Sequence, residues 1–92
     1  MVEIDKILNQ KYKECIKLMQ KNNLDEIEFP EGLVYVLYQV GDDILDIPIS
    51  KVKWVNSSVL YLYNEEYGWI YSYETLGYTD INVLDMIFQI LR

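Results

Sequence analysis

Gly41-Asp42-Asp43-Ile44-Leu45-Asp46 brings three carboxylates together at a turn signal, and carboxylates so placed are what a hard cation such as calcium or magnesium binds. The spacing lacks the EF-hand pattern and its bidentate glutamate, so a solvated acidic turn accounts for it better. Histidine is absent from the chain, which removes Ser–His and Cys–His nucleophile systems and every histidine acid–base scheme. With Cys15 as the single cysteine there is also no zinc-binding set of the usual kind. Neither GxxxxGK nor GxGxxG occurs, so no recognised phosphate loop is present. Paired acids can hydrolyse glycosides, but a domain of this size offers little cleft for a sugar chain. Cys15 falls on the apolar side of a helical pattern, where a thiol is buried and inert. On these grounds the chain is not expected to be an enzyme, and no catalytic, metal or cofactor residue is assigned.

The other concentration of chemistry is aromatic. YLYNEEYGWIYSY, residues 61 to 73, carries Tyr61, Tyr63, Tyr67, Trp69, Tyr71 and Tyr73, nearly all at alternating positions, around Glu65 and Glu66. On strands these rings share a face only if the turn keeps the parity of the pairing. A three-residue loop, Asn64 to Glu66, sets Tyr63 opposite Tyr67 and Tyr61 opposite Trp69, with Leu60, Leu62 and Ile70 on the core side. A loop of two or four residues would divide the rings between the faces. The first register is favoured because it separates tyrosines from purely aliphatic residues. Half-exposed tyrosine is common on any β surface. Gathered on one face, however, tyrosine and tryptophan supply rigid contact area with hydrogen-bonding tips.

Charge restricts what such a face could meet. Of the net −7, seven acids (Asp25, Glu26, Glu28, Glu31, Asp42, Asp43 and Asp46) lie between Leu24 and Ser50 without one base. That balance repels phosphate, and single-strand binders pair their rings with a basic groove, so direct nucleic-acid binding is not expected. Half the residues are apolar, a globular composition for one domain over 1–92. The N-terminal residues interleave charge with apolar positions, unlike a secretory signal. The apolar run Ile81–Leu91 is too short and too interrupted to cross a bilayer, so no membrane partner is expected. One cysteine suits a reducing compartment, and a cytoplasmic location is expected.

The elements that must position these residues follow from periodicity. Ile4, Ile7, Leu8, Tyr12, Cys15, Ile16 and Met19 recur at helical steps, predicting an amphipathic helix over roughly 3 to 22, stopped at Asn22-Asn23. The turn at 29 to 32 precedes LVYVLYQV (33 to 40), apolar on both faces and therefore read as a central strand. In ILDIPIS, Leu45, Ile47 and Ile49 alternate, and Pro48 argues for a sheet edge. The apolar phase then changes to Val52 and Trp54, predicting a bulge or break near Ser50-Lys51. Turns at Asn56–Ser58 and Asn64–Glu66 delimit VLYLY and YGWIYSY. Thr79 is the expected N-cap of a last helix with Asp80 in its first turn. The predicted fold is α+β, in the order α-β-β-β-β-α: an N-terminal amphipathic helix, a four-stranded antiparallel meander and a C-terminal helix.

That last helix is apolar nearly all round, from Ile81, Val83, Leu84, Met86, Ile87, Phe88, Ile90 and Leu91. Such a helix is buried on more than one side, either within the domain or against a partner. The functional expectation is a small acidic, non-catalytic protein-binding module, capable of self-association as a homodimer. Its contact residues are the six rings together with Met86 and Ile90. The alternative is an acidic decoy inhibitor, of anti-defence or immunity type, whose seven acids occupy a basic groove of a nucleic-acid enzyme or toxin. The partner in either case is another protein, basic in the second.

Overall fold

A computed structural model describes the backbone of residues 2–56 and 59–92 and the side chains of residues 6–54 and 59–92. The first helix, α1 (Val2–Lys21), buries Tyr12, Cys15 and Met19 at successive turns and turns Lys13, Lys17 and Lys21 to solvent. It ends where Asn23 takes a left-handed φ of 56°. The Leu24 amide then returns to the Met19 carbonyl at 3.0 Å and the Asn23 amide to Gln20 at 3.1 Å, a Schellman closure that satisfies the last carbonyls.

Seven strands follow: β1 (Glu26–Glu28), β2 (Tyr35–Val40), β3 (Asp43–Pro48), β4 (Lys51–Asn56), β5 (Val59–Asn64), β6 (Gly68–Tyr71) and β7 (Thr75–Leu76). A 3-10 turn, Ser72–Glu74, separates the last two strands, and α2 (Thr79–Leu91) closes the chain. The class is α+β with antiparallel pairing between two flanking helices in the sequence, as expected. The single four-stranded meander is corrected to two sheets, ordered β1-β4-β5-β6 and β3-β2-β7. Of the three further strands, β1 and β7 are three and two residues long, too short to carry a periodic signal, and the third arises because the stretch 44–55, expected as one interrupted strand, forms both β3 and β4.

The phase change after Pro48 has a simple cause. At Ile49-Ser50 the chain leaves one sheet for the other, so Ile47 and Val52 both face inward although their parities differ. The irregularity in pairing falls later, between Trp54 and Asn56. Pro48 does sit on an edge strand, and β2 is central in its sheet, but only one face of β2 is covered: Val36 is buried while Tyr35 and Leu37 are exposed. Ser57 and Ser58, where the turn before β5 was read, lie outside the described residues.

One core joins the parts. Val36 and Ile47 from the smaller sheet meet Ile27, Val52, Leu60, Leu62 and Ile70 from the larger one, under Tyr12, Cys15 and Met19 of α1 and Val83, Leu84 and Ile87 of α2. Polar links fasten the two helices at the margin of this core. The Tyr12 hydroxyl donates to Asp80 Oδ2 at 2.6 Å, Lys11 pairs with Asp85, and Arg92 reaches Glu14. Thr79 is corrected as a cap: it is the first helical residue, and its hydroxyl accepts from Thr75 and donates to the Leu76 carbonyl.

Candidate functional site: an aromatic sheet face

The β5–β6 hairpin decides which way the rings point. Buried Asn64 accepts the amides of Glu66 (2.8 Å) and Tyr67 (2.9 Å) on its side-chain oxygen, and Gly68 follows with a left-handed φ of 77°. This turn consumes Tyr67. Pairing therefore sets Asn64 against Gly68, Tyr63 against Trp69, Leu62 against Ile70 and Tyr61 against Tyr71. The expected partners, Tyr63 with Tyr67 and Tyr61 with Trp69, are each displaced by two positions. A two-position shift preserves parity, so the rings remain on one face and the aliphatic residues on the other.

Tyr61, Tyr63, Trp69 and Tyr71 thus share the outer face of the larger sheet, and Leu60, Leu62 and Ile70 are buried on its inner face. Tyr67 is corrected: it leaves this face and packs its ring on Tyr38 at 5.4 Å, against the core. Tyr73 lies beyond the strand, in the 3-10 turn, yet its ring continues the array and is 70% exposed. Trp54, on the inward side of β4, belongs to the core, 5.3 Å from Tyr12.

The rings form a ladder. Tyr73 stacks on Tyr71 at 5.1 Å and 9° between planes, Tyr71 on Tyr61 at 4.7 Å and 19°, and Tyr61 on Trp69 at 4.9 Å and 28°. Tyr63 meets Trp69 edge-on at 5.1 Å. Two rings stacked this closely on Tyr61 must occupy its opposite faces, and the same holds for Tyr71. The centre of the ladder therefore offers edges and hydroxyl tips to solvent, not open π-faces.

Two lysines that sequence reasoning left out of the site complete it. Cross-strand pairing puts Lys51 beside Tyr63 and Lys53 beside Tyr61. Lys53 Nζ lies 4.2 Å from the Trp69 ring centroid, and Lys51 Nζ lies 4.8 Å from that of Tyr63. Glu28 and Glu26 stand opposite these lysines on β1, so the face runs from acid through base to aromatic across the sheet. The available signal was the KVK alternation, in phase with the outward positions of a strand.

The remaining candidates do not gather into one site. Met86 is half-buried and packed against the core, whereas Ile90 is exposed near the C-terminus of α2. Asp25, Glu28, Glu31, Asp42, Asp43 and Asp46 are exposed and Glu26 partly so, and they are dispersed over β1 and the residue before it, the 29–32 turn, the β2–β3 turn and β3. Asp43 and Asp46 fall on opposite faces of β3, and no group of three or more acidic, cysteine or histidine side chains among the described residues could hold a metal ion. Cys15 is fully buried, and burial pushes its thiol up to about 12. The same cause, with the bond to Asp80, pushes Tyr12 up as well. Among the described residues no helix is long and apolar enough to cross a membrane. No protein-family model, curated protein or solved structure matches this chain.

Proposed function

We propose that the chain is a non-catalytic protein-binding module whose contact surface is the ring ladder on the outer face of the larger sheet. The observation that carries this reading is the mutual stacking of Tyr73, Tyr71, Tyr61 and Trp69. Rings that hold one another lose little side-chain freedom on binding, and they present hydroxyls and C–H edges suited to the mixed polar and apolar surface of another protein. A platform for sugars or bases would need a run of open ring faces, and within the ladder those faces are taken by neighbouring rings or lie near lysines, Tyr73 at its exposed end excepted.

Self-association belongs to the same reading, with exposed Ile90 of α2 as an additional contact. The test is affinity capture from the native host with wild-type protein and with Tyr71→Ala, eluted in salt steps and identified by mass spectrometry. A partner lost with Tyr71→Ala and retained through moderate salt supports the ladder. A partner indifferent to Tyr71 but released by low salt, and lost when Asp42, Asp43 and Asp46 are all changed to Asn, supports the acidic decoy instead.

A further inference from the structure

The outer face of the smaller sheet is a second open surface, and it is more apolar than a solvent-facing antiparallel sheet ordinarily is. Its register sets Tyr35 beside Pro48, Leu37 between Asp46 and Leu76, and Gln39 beside Ile44. Tyr35 is 50% exposed, Leu37 43% and Ile44 58%. A cleft of about 120 Å³ opens here, its wall including Tyr35, Leu37, Asp46, Leu76, Tyr78 and Asn82. Asp46 makes no ion pair among the described residues, and the whole stretch from Leu24 to Ser50 contains no base to neutralise it.

We propose that this cleft receives an arginine or lysine side chain from a partner protein, while the surrounding apolar strands cover that partner's neighbouring apolar residues. Two tyrosines and a carboxylate are the groups that recognise such a cation, through its π-facing and hydrogen-bonding sides respectively. Leu37 and Leu76 suit the aliphatic stem, which buries readily beneath its charged head. Asp42 and Asp43, at the hairpin end of the same sheet, add attraction of the same sign during approach. A second copy of this chain fits poorly, because packing the face on itself brings carboxylate to carboxylate. The chain's single arginine, Arg92, is moreover engaged with Glu14 and the Phe88 ring. The cleft lies on a different sheet from the ring ladder and does not depend on it.

A random-peptide phage library selected on immobilised protein tests the proposal, with affinities of the recovered peptides then measured for variants. Enriched peptides are expected to carry an arginine or lysine flanked by apolar residues, and replacing arginine by neutral citrulline should weaken them about tenfold. Asp46→Asn should weaken them comparably at an unchanged urea midpoint, and Tyr71→Ala should leave them unaffected. Affinity for wild-type protein should also fall with salt, which tests the charge independently of any variant. No enrichment, enrichment without basic residues, equal binding of the citrulline peptides, or loss with Tyr71→Ala would each overturn it.

Discussion

Asn64 donates its side-chain amide to the carbonyl of Pro48 at 2.8 Å, tying the β5–β6 turn of one sheet to the end of β3 in the other. The same side chain caps the amides of Glu66 and Tyr67, so one buried residue fixes both the hairpin turn and its attachment. Asn64→Ala should remove all three bonds and cost about 2 kcal/mol in urea unfolding. Its tyrosine fluorescence should change too, as the register that aligns Tyr61 with Tyr71 loosens. An unaltered urea midpoint would show that the turn holds without its cap.

The two faces of the larger sheet should respond differently to truncation. Leu62 is fully buried opposite Ile70, and Leu62→Ala should destabilise by about 2 to 5 kcal/mol. Tyr71→Ala loses stacking on a half-open face and should cost about 1 kcal/mol, while weakening partner binding by more than that. Parallel urea titrations and binding curves check the ranking, and the opposite order would count against the ladder as a contact surface.

Alkaline pH should unfold the domain through its buried acids. Cys15 is raised from its ordinary value of 9.0 to about 12, and Tyr12 is raised as well. Both hold a proton more tightly folded than unfolded, so the Cys15 contribution is complete below about pH 9 and is lost as pH climbs toward 12, while that of Tyr12 begins to be lost only above its ordinary value of 10.0. The urea midpoint should therefore fall between pH 9 and 11, and less steeply in Cys15→Ala. At pH 8 a thiol reagent should label native Cys15 only as fast as the chain opens.

On α2 the test separates core from surface. Met86→Glu places a charge beside packed apolar residues and should lower the melting temperature by several degrees, whereas Ile90→Glu should leave it within about a degree. Sedimentation of wild-type protein and of Ile90→Glu then reads self-association without unfolding. A wild-type monomer at every concentration would remove Ile90 from the contact surface.

The sequence by itself determined the parts whose information is local. The spacing from Tyr12 through Met19 is enough to bury one side of α1, and Asn23 carries the left-handed stop. The alternation from Leu60 to Tyr63 and from Trp69 to Tyr71 separates aliphatic from aromatic, and parity keeps that separation under any two-position slip. The acidic, base-free middle of the chain was equally plain. What only the tertiary structure decided is non-local. Whether the change of phase at Ser50 meant a bulge or a passage between sheets depends on which strands pair, and pairing is a choice among distant partners. Tyr67 followed the alternation but was taken by the turn, because the side chain of Asn64 could satisfy two amides there. Lys51 and Lys53 joined the ring face through cross-strand neighbours, and the cleft at Asp46 exists only because β2, β3, the Leu76–Tyr78 segment and α2 converge. Such contacts are set by the lowest free energy of the whole packed chain, so no short stretch of residues encodes them.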